Sequence, residues 1–443
     1  MPVEPSTDRY LGPAERLNLF NEAPLVANIV VFGEVSGPLL DYLPAGLAAL
    51  QARHPLLNMR VVQQPDSARF TPQSSPLTIR VVDGDPSIVT SELDRELNEP
   101  FSADGPLARC AVVRHAPDRA TLIVCVHHSL GDGIASTALI RDLLQAVAQA
   151  SQGQAIDLPR LPLRPSVEAY LPATLRGWRI YPSIVRMLAR QHFKKSTSLP
   201  YASENGQQPL RIACKTYRLE QEETRLLVAQ ARRNGTTVQG ALCAALFLAI
   251  ESELGPEGVP QSCVVPVDLH ARVEPTIGEE LLLFNAPVTV YYPKREQRSF
   301  WSVASEATSN LALGIARNEH FASLFLTRFV TSLLARQMAG PDGNKAMQDM
   351  AAKTRAALRA PTFLLSNLGS LKIDHSYGPL SLHSFGFIGS LFFTTDLGCC
   401  ISTLNDVLVW NYVWKEPRMC RNQIDRIASR ALELVRQALA LQQ

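Results

Sequence analysis

Two adjacent histidines, His127 and His128, are the residues of this chain best placed for acid–base chemistry. They follow an apolar run that ends at Val126 and precede the sequence Ser-Leu-Gly-Asp-Gly at 129–133. Imidazole has an ordinary pKa of about 6.5, so a histidine oriented by its neighbours is suited to remove a proton near neutral pH. A loop at the end of a buried strand is rigidly anchored and commonly faces a cleft. The pattern predicts a general base here, and a structural histidine pair is the alternative.

Glycine and aspartate in the same loop predict its shape. Gly131 and Gly133 permit a tight turn, and Asp132 stands beside the predicted start of a helix, where a carboxylate is favourable. A metal site of His127, His128 and Asp132 is an alternative, but adjacent histidines usually point apart on leaving a strand and the chain has no second ligand cluster. We therefore expect no metal ion at this loop.

Other motif-based interpretations of the loop fit less well. Its glycines imitate a dinucleotide fingerprint, but Ser136 holds the third glycine position and no acidic residue ends a following strand about 20 residues later. The spacing of His127 and Asp132 also occurs in the H-x4-D loop of glycerolipid acyltransferases, which generally carry membrane segments. Neither a GxSxG nor a GxxxxGK[ST] motif occurs, which argues against a serine hydrolase and against P-loop chemistry.

Composition limits the class of protein. The 443 residues are 46% hydrophobic and 19% charged, which predicts large cores in two or three domains and excludes global disorder. A net charge of +2 marks neither a nucleic-acid-binding protein nor one that coats an anionic membrane. No apolar run reaches the roughly 20 residues of a membrane span, and the N-terminus lacks signal-peptide features. Most of the eight cysteines stand in apolar runs, which favours buried free thiols over disulfides and a cytoplasmic location.

The elements around the loop indicate a mixed α/β fold. Two β-rich runs at 109–114 and 121–126 predict a hairpin, and apolar residues three and four positions apart predict a helix over 134–150. Prolines and basic residues concentrate between residues 151 and 210, which predicts a crossing between two lobes. The predicted division is an N-terminal lobe at 1–170 with the histidine loop, a linker at 171–205 and a C-terminal lobe at 206–443.

The residues at 127–133 match HHxxxDG, the signature of the chloramphenicol-acetyltransferase-like superfamily. This superfamily includes nonribosomal peptide synthetase condensation domains, plant BAHD acyltransferases and stand-alone polyketide-associated acyltransferases such as phthiocerol dimycocerosyl transferase, to which the chain is most similar. Further segments resemble the family along nearly the whole chain: Arg16 in PAER, ARHPLLNMRV at 52–61, TTVQGALCAALFLAI at 236–250, PVDLHARV at 266–273 and SNLGS at 366–370. The DFGWG motif of BAHD enzymes is missing.

This resemblance implies a fold and a mechanism. It implies two α/β lobes with mixed sheets, arranged as a V-shaped pseudo-dimer with a central channel. It assigns His128 as the base that deprotonates the acceptor, His127 as mainly an orienting residue, and Asp132 as the loop residue held by a salt bridge. Arg272 is a candidate partner of Asp132, and His270 stands where related enzymes often have an arginine. The residues expected to contact substrate are Gly133, Ser366, Asn367 and Gly369, with a simple strand-end turn as the alternative for Ser366 and Asn367.

The expected function is acyl transfer from an acyl-carrier-protein or coenzyme A thioester to a small-molecule alcohol, without a cofactor, by a monomer that binds no nucleic acid. A free-standing condensation domain that forms an amide from an amine is one alternative, and a non-catalytic carrier-binding homologue is another. The basic stretch at 176–195 is expected either to dock the donor or to be a solvated helix face. Seven aromatic residues are expected in an acyl channel or in the core: Phe284, Tyr291, Tyr292, Phe385, Phe387, Phe392 and Phe393.

Overall fold

A computed structural model of the chain has the mixed α/β fold that the sequence predicts. It describes residues 8–20, 25–64, 66–194, 196, 199, 209–255, 260–274, 277–292, 298–338, 345, 349, 360–392 and 394–440. Phe393 and Lys195, which belong to the aromatic set and the basic stretch named above, lie outside these residues.

The described strands are numbered in chain order. They are β1 (Arg9–Tyr10), β2 (Asn28–Ser36), β3 (Met59–Gln63), β4 (Ala68–Pro72), β5 (Ile79–Asp83), β6 (Ala108–Ala116), β7 (Arg119–His127), β8 (Arg211–Leu219), β9 (Gln261–Asp268), β10 (Asn285–Tyr292), β11 (Phe363–Ser370), β12 (Ser376–Tyr377), β13 (Leu380–Leu382), β14 (Gly386–Gly389), β15 (Leu397–Leu404) and β16 (Val407–Glu416).

The described α-helices are numbered in the same way. They are α1 (Pro13–Leu17), α2 (Leu43–Arg53), α3 (Val89–Asn98), α4 (Gly133–Ser151), α5 (Tyr181–Phe193), α6 (Gln221–Arg233), α7 (Val238–Leu254), α8 (Phe300–Ala316), α9 (Glu319–Met338) and α10 (Arg421–Ala440). The predicted hairpin is therefore confirmed as β6 and β7, and the helix predicted over 134–150 is confirmed as α4.

The histidine loop leaves the middle of a seven-stranded sheet. The strand order is β12-β13-β2-β7-β6-β5, and β14 also pairs with β2. Both faces of β7 are buried: Leu122, Val124 and Val126 belong to the core that contains α2 and α4, whereas Ile123 and Cys125 pack with residues of α3. A strand covered on both sides reads as a continuous apolar run, as this one does. Its end at His127 is therefore fixed by packing on both faces.

A second sheet has the order β10-β9-β11-β15-β16-β8 and its own core. The mostly apolar helix α7 is buried in this core, where Phe247 stacks against Tyr292 and meets Phe363 edge to face. The strands β12, β13 and β14 come from the second half of the chain but pair with the first sheet. The lobe boundaries at residues 170 and 206 remain a prediction.

The segment predicted as a linker carries helical structure where it is described. Short 3-10 turns lead into α5, which packs against α9. All eight cysteines are free; seven are buried as predicted, and Cys420 is exposed. Among the described residues, no single helix is long and apolar enough to cross a membrane. The pair α6 and α7, bent by 99°, meets that test of length and composition only when the two are taken together.

Candidate active site

The backbone of the histidine loop is tied to two neighbouring segments. The His127 amide donates to the Leu107 carbonyl at 2.9 Å, and the His128 amide donates to the Ala27 carbonyl at 2.7 Å. Gly131 packs closely against Leu281, since a Cβ at Gly131 would stand 2.8 Å from the Leu281 Cδ1. A side chain at position 131 would therefore require Leu281 to move.

Asp132 connects the loop to the second half of the chain. It caps α4, because its Oδ1 accepts from the Ala135 amide at 3.1 Å. Its Oδ2 accepts from the Phe284 amide at 3.0 Å and from the Asn285 Nδ2 at 3.2 Å. The side chain is buried, and three N–H donors satisfy its two oxygens. The role of Asp132 in this structure is thus to position the loop.

The imidazole of His128 has a defined hydrogen-bond partner. Its Nδ1 lies 3.0 Å from the Gly131 carbonyl oxygen, which can only accept, so Nδ1 carries a hydrogen and donates. In the neutral ring the Nε2 lone pair is then free to accept a proton. Burial lowers the pKa of His128 below its usual 6.5, and the Gly131 carbonyl and the Asp132 carboxylate offset part of that effect. The ring is therefore neutral at pH 7.

His127 has a different environment from its neighbour. The Ser129 amide donates to its Nδ1 at 3.2 Å, and the Ser129 hydroxyl lies 2.7 Å from the same nitrogen. Burial lowers the pKa of His127 to about 4, with His128 adding to the shift. Its ring meets Phe101 edge to face, with 6.4 Å between the ring centroids. These contacts fit the orienting role expected for His127.

His128 lies in the wall of a cavity of about 450 Å³. The cavity is lined mainly by apolar side chains from both halves of the chain, including Leu17, Leu283, Val288 and Leu324. A cavity of this size lies within the range of small-molecule sites. Apolar walls around one neutral imidazole favour a ligand with a hydrocarbon portion.

The predicted substrate contacts divide into two groups. Gly133 and Ser366 line the cavity with His128. A Cβ at Gly133 would stand 3.0 Å from both Leu368 and Phe387, so glycine keeps this part of the wall open. Asn367 does not line the cavity; its Oδ1 accepts from the Gly369 amide at 2.9 Å. Gly369 has φ of +70°, so the strand-end alternative describes Asn367 and Gly369 better.

Arg272 does not reach Asp132, contrary to the expectation of a salt bridge. Its Nε donates to the Asp268 carbonyl at 3.2 Å, while the Asp132 oxygens are already occupied by N–H groups. The His270 ring lies 5.1 Å from that of Phe284, whose amide donates to Asp132, and the His270 Nδ1 is 2.5 Å from the Asp268 Oδ1. Burial opposes protonation of His270, but the Asp268 hydrogen bond and the nearby carboxylates raise its pKa.

Sequence reasoning missed two structural supports of the site. The first is the pair of donors to Asp132 from Phe284 and Asn285, and Asn285 also lines the cavity. The second is an ion-pair network at the Arg-His-Pro segment. Arg53 contacts Asp142 of α4 at 2.6 Å and Glu279 at 2.5 Å, and the His54 Nε2 lies 2.9 Å from the same Asp142. The resemblance of residues 52–61 to the family was the only signal for this network.

The aromatic residues expected in an acyl channel and the basic stretch at 176–195 each contain residues with different roles in the structure. Tyr291, Phe387 and Phe392 line the cavity, whereas Phe284, Tyr292 and Phe385 are buried without lining it. In the basic stretch, Arg190 is committed to the fold through a 2.6 Å ion pair with the buried Glu319. Among the described residues, no group of three or more His, Cys, Asp or Glu side chains is placed to hold a metal ion.

Two family models match overlapping parts of the chain. A family model described as "Condensation domain" matches residues 39–257. A second, described as "Phthiocerol/phthiodiolone dimycocerosyl transferase C-terminus", matches residues 208–382. The two matches together span residues 39–382 and agree with the resemblance that the sequence analysis stated.

Solved structures with low sequence identity share this fold. The trichothecene 15-O-acetyltransferase from Fusarium sporotrichioides aligns over 99% of both chains with a TM-score of 0.74 and 13% identity. The polyketide synthase associated protein 5 from Mycobacterium tuberculosis aligns over 97% of this chain and 98% of its own, with a TM-score of 0.68 and 15% identity. The first condensation domain of the calcium-dependent antibiotic synthetase aligns over 99% of this chain and 97% of its own, with a TM-score of 0.74 and 15% identity.

One curated relative is a much larger protein. The nonribosomal peptide synthetase kk1B from Curvularia clavata is 30% identical over 166 residues, or 34% of this chain. The match covers only 1% of the length of that synthetase.

Proposed function

We propose that this protein transfers a fatty, polyketide or aryl acyl group from a thioester to a hydroxyl group and so forms an ester. The observation that carries the proposal is the orientation of His128. Its Nδ1 hydrogen is engaged by the Gly131 carbonyl, which leaves Nε2 unprotonated, and His128 lines a mainly apolar cavity. A neutral imidazole in this position is suited to general-base catalysis.

The reaction follows from that geometry. The Nε2 of His128 takes the proton of the acceptor hydroxyl while the oxygen attacks the thioester carbonyl and forms the new C–O bond. The tetrahedral intermediate then collapses, the C–S bond breaks, and the proton passes from His128 to the leaving thiolate. The donor is a thioester of an acyl carrier protein or of coenzyme A. No covalent acyl-enzyme is required.

The other loop residues act through His128. Asp132 holds the loop against Phe284 and Asn285 and is a positioning residue. His127 accepts from Ser129 and stabilises the turn from which His128 projects. Neither has to exchange a proton with substrate.

Amide formation is a second candidate, because the condensation-domain model matches residues 39–257. An amine acceptor would use the same base and the same collapse of the intermediate. The product distinguishes the two reactions, since an alcohol gives an ester and an amine gives an amide.

The test is an assay of thiol release with purified protein, acyl-coenzyme A or acyl carrier protein donors, and alcohol or amine acceptors, followed by mass spectrometry of the product. His128→Ala is expected to lower kcat/KM by about 10²–10⁴. His383→Ala is the matched control, because His383 is bound to Ser36 away from the cavity and should leave the rate unchanged.

The result that overturns the proposal is full activity in a folded His128→Ala variant, with folding checked by its melting curve. His128→Asn provides a second variant, since its amide can still donate to the Gly131 carbonyl but cannot act as a base. Binding of a carrier protein by a wild type that transfers no acyl group to any acceptor would instead support the non-catalytic alternative.

A further inference from the structure

Large hydrophobic side chains are exposed together on one face of the molecule. Of the twelve that are exposed among the described residues, eight lie in or just before α5 or in α9. Trp178 is 76% exposed and Phe193 is 80% exposed. We call this set the α5–α9 face: Trp178, Tyr181, Val185, Leu188, Phe193, Phe329, Val330 and Leu333. A concentration of this kind is unusual on a monomer and marks an interaction site.

The exposed residues form a continuous surface. Trp178, Tyr181, Val185 and Leu188 follow one another at intervals of three and four residues, which aligns them along one side of α5 and the turn before it. The ring of Tyr181 lies 6.2 Å from that of Phe325 in α9, and Phe325 lies 6.0 Å from Phe329. The two helices therefore present one apolar surface.

The two segments that form this surface carry charges of a single sign. Residues 171–194 and 320–338 contain no aspartate or glutamate. The acidic residue at the start of α9, Glu319, is buried and paired with Arg190. The same two segments carry six exposed cations, none of which forms an ion pair with another described residue. They are Arg176, Arg179, Arg186, Lys194, Arg328 and Arg336.

Aromatic and aliphatic side chains interspersed with arginine and lysine are the pattern of a helix that lies in a membrane interface. The apolar groups enter the boundary between headgroups and acyl chains, and the cations are attracted to anionic headgroups. A polar partner such as a carrier protein would use the cations but would leave Trp178 and Phe193 without an apolar environment. The combination therefore favours a lipid surface over an acidic protein.

The α5–α9 face is also continuous with the cavity of His128. Met187 and Gln191 of α5 and Thr327 of α9 line the cavity. Val330 lines the cavity and is also 37% exposed. We propose that the α5–α9 face binds the surface of an anionic phospholipid bilayer and that a membrane-borne substrate enters the cavity from this side. The second part of this proposal rests on the acyl transfer proposed above.

The test of binding is flotation of the full chain with vesicles of phosphatidylcholine containing about 30% phosphatidylserine, compared with phosphatidylcholine alone. We expect the protein to float with the anionic vesicles and to be released as the salt concentration rises. Absence from vesicles of either composition would overturn the proposal.

Two pairs of variants locate the binding surface. Arg179→Gln with Arg186→Gln should weaken binding to anionic vesicles about tenfold or more, whereas the control Arg232→Gln with Arg233→Gln on α6 should not. Trp178→Ser with Phe193→Ser should weaken it comparably, whereas Tyr10→Ser with Val81→Ser, exposed elsewhere, should not. Equal loss in the test and control variants would overturn the assignment to this face.

Other occupants of the face give distinct results. Sedimentation that shows a dimer abolished by Trp178→Ser with Phe193→Ser would identify a contact between two copies and overturn the proposal. Competition with a purified acidic acyl carrier protein that removes the chain from vesicles through the same arginines would assign the face to the carrier.

Substrate entry is tested separately from catalysis. The Trp178→Ser and Phe193→Ser variant should transfer acyl groups to a water-soluble alcohol as fast as the wild type, but should lose about tenfold in rate toward hexadecanol held in anionic vesicles. Equal rates toward both alcohols would overturn substrate entry from the membrane. Failure of the wild type on every acceptor would contradict the acyl transfer itself while leaving the vesicle-binding result intact.

Discussion

The loop at residues 127–133 and the strand end at 366–370 contribute to the same cavity but are fixed in different ways. The loop is held from outside, by Ala27, Leu107 and the donors at Phe284 and Asn285. The strand end closes partly on itself, because the Asn367 side chain bonds to the Gly369 amide. The Leu371 amide, just after this segment, donates to the Thr403 carbonyl of β15 at 2.8 Å.

This difference indicates where chemistry is located. A reactive side chain needs a fixed orientation. The Gly131 carbonyl orients the His128 imidazole, and contacts with distant segments fix the loop that carries both residues. A turn that satisfies its own hydrogen bonds can form a wall but does not by itself aim a side chain. We therefore expect substitutions in the loop to change the reaction, and substitutions in the strand end to change the shape of the cavity wall or the stability of the turn.

The largest expected effect is on the pH dependence of the rate. Burial lowers the pKa of His128, and only the neutral ring is a base, so activity should persist below pH 6.5 and decline as the pH falls through that lowered pKa. Below it, kcat/KM should fall about tenfold per pH unit. The measurement is a pH profile of kcat/KM for the wild type and for Ser366→Ala, which should share one acid limb. An acid limb centred above pH 6.5 would contradict this assignment.

The next effect concerns the anchor of the loop. In Asp132→Asn, the new amide cannot satisfy Ala135, Phe284 and Asn285 together, because one carboxylate acceptor becomes a donor. We expect a loss of about 1–3 kcal/mol in the free energy of unfolding and a lower rate. Chemical denaturation measures the first quantity and the thiol-release assay the second. Unchanged melting would show that the loop does not depend on this carboxylate.

The sequence predicts the loop and its neighbours well because their signals are local. The motif at 127–133, the strand before it and α4 after it occupy one continuous stretch, and apolar spacing identifies both elements. By contrast, β8 and α3 were not predicted. Only Ile212, Ala213 and Cys214 form a buried apolar run in β8, and α3 has two apolar core residues, Leu93 and Leu97, among charges.

Contacts across the chain are the part that sequence did not supply. Asp132 and Phe284 are 152 positions apart, and the Phe284 donor is a backbone amide, which no side-chain pattern marks. The expectation that Arg272 pairs with Asp132 was wrong for the same reason, because the actual donors could not be identified from a pattern of side chains. The overall composition also gives no sign of the α5–α9 face. The net charge of +2 is a sum over the whole chain, in which the basic residues near this face are balanced by acidic residues elsewhere.

Two glycines offer a smaller and sharper contrast between the regions. Gly133→Ala places a methyl group 3.0 Å from Leu368 and Phe387 in the cavity wall, and we expect KM to rise about fivefold, equivalent to about 1 kcal/mol. At Gly369 no atom lies within 4 Å of the added Cβ, but φ is +70°. Gly369→Ala should therefore cost about 1 kcal/mol of stability and leave KM unchanged.

The smallest expected effects separate two adjacent residues of the strand end. Ser366→Ala removes a hydroxyl from the cavity wall and should lower kcat/KM by at most about fivefold without changing the melting temperature. Asn367→Ala removes the hydrogen bond to the Gly369 amide and should cost about 1 kcal/mol of stability while leaving kcat/KM near the wild-type value. Melting curves and steady-state kinetics on both variants measure the two effects. If Asn367→Ala instead lowers the rate and spares stability, the strand end takes part in the chemistry and the contrast with the histidine loop fails.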